Sequence, residues 1–120
     1  KYIIDQGILL WNCFHHTINY YRTKHPVWLF IRHEDLSTNP TGEFKSLFDH
    51  LDINYTKKIQ RIINSYSGIH NPIEQTKNEL LRNSKSNIKN WKSRLSNNEI
   101  ERIKEKSSAL YSSFYFDDEW

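Results

Sequence analysis

The chain contains no methionine, a single cysteine, three glycines and three prolines in 120 residues. Without methionine even an initiator is missing, so the expectation is a fragment or a processed product. Cys13 alone excludes an internal disulfide framework and suits a reducing compartment, where it reads as a small core residue. The longest apolar run, Val27 to Ile31, falls far short of the ~20 residues that a membrane-spanning helix needs. No basic-then-apolar leader with a small-residue cleavage site is visible, so neither secretion nor targeting is read from this piece; the compartment that the lone cysteine suits gives the expectation of a cytoplasmic protein. Catalytic signatures are scarce too. A serine nucleophile would need an elbow motif, which is absent. His15 and His16 are adjacent, so on a helix they point about 100° apart, and no two histidines stand one turn apart. With His33-Glu34-Asp35 as the only other cluster of such groups, no metal site is expected. Glu34 and Asp35 read instead as residues that cap and orient a turn.

What is present is a local excess of positive charge. The chain has 17 Lys plus Arg and 14 Asp plus Glu, and five of those bases (Arg82, Lys85, Lys89, Lys92, Arg94) fall between residues 82 and 94 with no acid among them. Elsewhere acids outnumber Lys plus Arg. A field concentrated on one loop suits a compact anion better than a long polyanion, so nucleic acid is not the expected partner. The stretch is rich in Ser and Asn and carries Trp91 in Asn90-Trp91-Lys92. Guanidinium and ammonium groups neutralise an anion, hydroxyls and backbone N–H groups bond its oxygens, and an indole can pin such a loop to a core. The alternative is a solvated basic linker.

Apolar spacing supplies the elements. Ile4, Ile8, Trp11, Ile18 and Tyr21 recur at helical intervals and predict a helix over 3–23. Pro26 blocks its continuation, and the unbroken run from Val27 to Ile31 predicts a strand over 27–32 buried on both faces. Such a strand needs neighbours that no other segment supplies. Asn39 followed by Pro40, with Phe44, Leu47, Phe48 and Leu51 behind, predicts a capped helix over 40–51. Thr56 caps a second one over 57–66, carrying Ile59, Ile62, Ile63 and Tyr66. Ser96-x-x-Glu99 is a capping box ahead of Ile100, Ile103 and Leu110, placing the last helix at 97–113. Residues 67–96 have weak periodicity, and an irregular connection that long is either functional or disordered. The whole chain reads as one segment.

These pieces, taken in order, resemble the C-terminal part of the sulfotransferases that use 3′-phosphoadenosine 5′-phosphosulfate, particularly the bacterial-type branch. The resemblance is carried by Trp11, His25-Pro26-Val27, Glu34-Asp35-Leu36, Asn39-Pro40, Phe44, Leu47, Phe48, Leu51 and Ile53. Farther on it is carried by Arg82-Asn83-Ser84, Asn90-Trp91-Lys92, Leu95-Ser96, Glu99-Ile100 and Tyr115. The better-known cytosolic branch has an RKGxxGDWK signature. Here Arg82 lies two residues farther from the Trp, and neither glycine is present.

The resemblance implies a mostly helical segment with one buried strand, cut from an α/β fold with a P-loop-like parallel sheet. It implies that residues 67–96 form a ligand loop, that Tyr66 and Ser67 lie near an adenine, and that Arg82, Ser84 and Lys85 bind the 3′-phosphate. Lys92 stands open between a ligand contact and a structural role, Trp91 is expected as a buried anchor, and His15 or His16 could line an acceptor pocket. The donor would be 3′-phosphoadenosine 5′-phosphosulfate, the product 3′-phosphoadenosine 5′-phosphate, and the acceptor a hydroxyl or an amine. The family's 5′-phosphosulfate loop and catalytic base have no counterpart here, since no glycine-rich loop with a Lys occurs. The isolated chain is therefore not expected to be an enzyme. Its expected partners are the N-terminal half of the same enzyme or a second copy pairing with the orphan strand. The reading from a different class is a mostly helical interaction module without nucleotide binding.

Overall fold

The structure, a computed structural model, describes residues 2–73 and 80–120. Six α-helices appear in it: α1 (Tyr2–Lys24), α2 (His33–Thr38), α3 (Pro40–His50), α4 (Lys57–Ser67), α5 (Ser84–Asn87) and α6 (Asn97–Tyr111). Short 3₁₀ turns lie at Asn90–Ser93 and Asp117–Glu119. The chain forms two compact units, Lys1–Phe30 with Arg94–Trp120, and Ile31–Ser93.

The first unit is built on α1 and α6. Contacts climb both helices together, from Asp5 with Arg102, through Asn12 with the Lys106 carbonyl, to Arg22 with the Ser113 carbonyl, so the two run in the same sense. Ile8 and Leu110 are the buried apolar side chains of this seam. Ser107 is buried beside them, its hydroxyl turned back on the Ile103 carbonyl at 2.7 Å, so the small side chain adds no unsatisfied group. Arg102 grips Asp5 at 2.7 and 2.9 Å onto one carboxylate oxygen and 3.0 Å onto the other, with the Lys106 ammonium at 3.4 Å. His15, a candidate for an acceptor pocket, is used structurally: its ring stacks on Trp11 at 3.6 Å and meets the Phe114 edge at 4.6 Å.

The expected strand over 27–32 does not form, and with it falls the expected fragment of a parallel-sheet α/β fold. Among the described residues there is no strand at all. Pro26 explains the difference. It does stop α1, but it does so as the second residue of a turn, in which the Trp28 N–H donates to the His25 carbonyl at 3.0 Å. Trp28 then folds back to stack on His25 at 4.0 Å. Two of the five apolar residues are thereby spent in the turn, and the run from Val27 to Ile31 is exposed along its whole length, Val27 to 83%. An apolar run of strand length has no structure of its own without a ladder partner.

In the second unit, helix ends do much of the organising. Asn39 closes α2 and opens α3: its N–H donates to the Asp35 carbonyl at 3.0 Å, and its side-chain oxygen accepts from the Gly42 N–H at 3.2 Å. A Cβ on Gly42 would collide with that carboxamide. Glu34 and Asp35, expected to orient a turn, sit instead in the first turn of α2, where the helix dipole favours acids, and pair loosely with Arg32. At the other end of α3, Ile53 N–H reaches the Phe48 carbonyl at 2.9 Å and Asp52 N–H reaches the Asp49 carbonyl at 3.2 Å. This is a Schellman motif with Asp52 at the left-handed position, φ 54°. Phe48 and Tyr55 then meet edge to face at 5.4 Å and hold α3 against α4.

Two outcomes follow from these ends and pairs. Asp52 is the one described non-glycine residue with positive φ, so Asp52→Gly should stabilise the chain by about 0.5–1 kcal/mol, read as a higher denaturant midpoint at unchanged slope. The Arg102 guanidinium, and secondarily Lys106, hold the Asp5 carboxyl below the ordinary aspartate range. A depressed folded pKa contributes stability that is fully present above the unfolded value and is lost as pH falls through the folded one. The stability difference between the native chain and Asp5→Asn should therefore be largest near neutral pH and shrink as acid titrates Asp5, in urea melts across that range.

Candidate functional site

The basic loop belongs to the Ile31–Ser93 unit as far as Ser93, with Arg94 outside it. Residues 74–79 of the expected ligand loop lie outside the described residues. Its anchor is the C-terminal end of α4. Helix ends leave carbonyls unpaired, and here the loop supplies their donors. The Arg82 N–H donates to the Tyr66 carbonyl at 2.9 Å, and the Asn71 carboxamide donates to the Ser65 carbonyl at 2.8 Å. Asn71 also reaches the Arg82 carbonyl at 3.3 Å, so one side chain ties the helix end to the returning strand of the loop. Asn83 adds the next layer. Its N–H donates to the Pro72 carbonyl at 3.0 Å, its side-chain amide donates to the Ile69 carbonyl at 3.1 Å, and its side-chain oxygen caps the Ser86 N–H at 3.1 Å to start α5. Gly68 is where the chain leaves α4, and a Cβ there would stand 2.8 Å from the Asn64 carbonyl oxygen.

This clamp brings Tyr66 and Arg82 together although sixteen positions separate them. The Tyr66 ring is about half exposed. Ser67 lies beside it at the end of α4, with its hydroxyl proton donated to the Ile63 carbonyl at 2.6 Å, so it offers a ligand only acceptor lone pairs. Arg82 is half-buried, with one guanidinium nitrogen donating to the Leu81 carbonyl at 2.6 Å. Ser84 and Lys85 follow directly as the first turn of α5, Ser84 half-buried and Lys85 exposed. Lys92 joins this group through no hydrogen bond or ion pair among the described residues; its ammonium stands 5.4 Å over the ring of the half-buried Trp91. Of the six expected contacts, Tyr66 and Ser67 end α4, Arg82 is bonded to that end through its backbone N–H, Ser84 and Lys85 begin α5, and Lys92 is placed with Trp91. No group of side chains able to hold a metal ion occurs among the described residues.

The residues that organise the site, Asn71 and Asn83, were not singled out by charge or periodicity. Their signals are present in the sequence. Asn71-Pro72 is a turn-initiating pair, and an Asn whose oxygen meets the N–H three positions later is the usual opening of a short helix. No protein-family model matches the chain, and neither a curated protein nor a solved structure matches it. The site is therefore read from its own chemistry.

The clamp carries a stability consequence. Asn71→Ala removes two donor bonds and leaves the Ser65 carbonyl without that partner, so it should cost about 1–2 kcal/mol in denaturant unfolding. An alanine variant as stable as the native chain would mean that the loop is held elsewhere.

Proposed function

We propose that the Ile31–Ser93 unit supplies adenine and 3′-phosphate contacts in a sulfotransferase that moves a sulfuryl group from 3′-phosphoadenosine 5′-phosphosulfate to a hydroxyl or amine acceptor. The observation that supports this reading is the 2.9 Å backbone bond from the Arg82 N–H to the Tyr66 carbonyl, which links the residue the reading assigns to the 3′-phosphate with one it assigns to the adenine. The donor set fits the ligand. A half-exposed phenol ring offers a face for a purine, and Ser67 offers acceptor lone pairs to an exocyclic amine. Arg82 suits two oxygens of a phosphate, with the Ser84 hydroxyl and Lys85 ammonium beside it on the chain. Lys92, over the Trp91 ring, is a further cation of the same stretch. When bound, the donor supplies the sulfuryl group itself. This chain's residues bind and orient the nucleotide, and they include no group assigned to stabilise the charge that develops on the transferring sulfuryl. That role and the catalytic base fall to the N-terminal half of the enzyme, so this chain alone transfers nothing. A cytoplasmic setting accords with the lone Cys13; no described helix is long and apolar enough to cross a membrane.

Titration calorimetry of this chain with 3′-phosphoadenosine 5′-phosphate, set beside 5′-AMP, tests the reading. The bisphosphate should bind more tightly, and Arg82→Ala should weaken it by about 1.5–3 kcal/mol, roughly 10- to 100-fold, with an unchanged circular dichroism spectrum. A folded variant with native affinity removes Arg82 from the site. Absence of bisphosphate binding favours the second reading, a helical interaction module, for which the exposure of Val27 to Ile31 speaks.

A further inference from the structure

Helix α1 is apolar on more than the face that meets α6. Ile3, Gly7, Leu10, Phe14, Thr17 and Tyr21 recur at alternating steps of four and three residues, which places them in one straight stripe. None of them is buried: Ile3 is 81% exposed, Leu10 58%, Phe14 60% and Tyr21 40%. Nothing comes within 4 Å of where a Gly7 Cβ would stand. A helix with apolar residues on opposite sides is a helix meant to be covered on both.

We infer that this stripe is the interface of an antiparallel, two-fold symmetric dimer of the chain. The pattern is self-complementary about Asn12. Reversing the helix pairs Ile3 with Tyr21, Gly7 with Thr17 and Leu10 with Phe14, so large residues meet large ones and small residues meet small ones. Those pairs match the two kinds of core position across an antiparallel coiled coil, and the small Gly7–Thr17 layers let the backbones approach. A contact in which each residue meets its partner reciprocally is the isologous kind that closes at two copies. The stripe and the adjoining Tyr20 expose on the order of 600 Å² of side chain per copy, at the lower bound of what each side of a specific interface buries. It also exceeds what scattered surface apolar residues need explain. No charge lies on the stripe to oppose pairing. Cys13, exposed on its edge, falls beside the two-fold axis.

Sedimentation equilibrium of the full chain should give twice the 14.5 kDa monomer mass at micromolar concentration. A short bismaleimide should link Cys13 of one copy to Cys13 of the other. Leu10→Lys with Phe14→Lys should yield a monomer and abolish the link, while circular dichroism stays native because both positions face away from α6. The combination Ile3→Lys with Tyr21→Glu should still dimerise, because only the antiparallel register brings the two changed positions of different copies together with opposite charge. A native chain that sediments as a monomer overturns the proposal, as does a dimer indifferent to the Leu10/Phe14 pair. Loss of the dimer in the charge-paired variant overturns the antiparallel register.

Discussion

A helix cannot satisfy its own terminal N–H and C=O groups, and a chain with few fully buried apolar side chains has little else with which to fix where each helix stops. In this protein that constraint is met by short polar side chains at nearly every junction. Asn39 serves two helices at once, Thr56 and Ser96 open α4 and α6, and Asn83 opens α5. At the end of α4 the partners come from farther along the chain, and this makes a helix end into a site: the donors that quench its carbonyls are the Asn71 side chain and the backbone of Arg82. Geometry at the candidate site is thus a by-product of helix termination. Arg82 is positioned because its backbone N–H is needed.

Charge is paired in both units, and it is concentrated in one stretch of the second. In the first, charge is paired: Asp5 with Arg102 and Lys106 between α1 and α6. In the second, Lys45 pairs with Asp49, Arg32 lies within 4.0 Å of Glu34 and Asp35, and the 82–93 stretch carries its cations with no acid between them in sequence. Paired charges orient helices. A run of cations with no acid between them concentrates positive potential on one stretch of chain.

Much of this was legible locally. The helices expected over 3–23, 40–51, 57–66 and 97–113 are found at Tyr2–Lys24, Pro40–His50, Lys57–Ser67 and Asn97–Tyr111. Their periodic apolar residues and their caps act within four positions, so no distant information is needed to read them. The capping box is the clearest instance, with the Ser96 N–H bonded to the Glu99 carboxylate at 2.8 Å and the Glu99 N–H returned to the Ser96 hydroxyl. The loop's cations were equally plain. The clamp was legible only in part: Asn71-Pro72 marks a turn, but which carbonyls Asn71 and Asn83 reach depends on how the chain returns to the end of α4.

What the sequence determined by itself is the set of helices, their caps and the place of the excess charge, since each depends on neighbours a turn away. Tertiary structure alone decided the fate of Val27 to Ile31 and the meeting of Tyr66 with Arg82. A continuous apolar run carries no period, and whether it becomes a strand depends on a partner edge; here the His25–Trp28 turn takes its first residues, and no ladder takes the rest. Tyr66 and Arg82 meet because a distant backbone N–H completes a helix end, and which N–H arrives there is settled by how the chain returns.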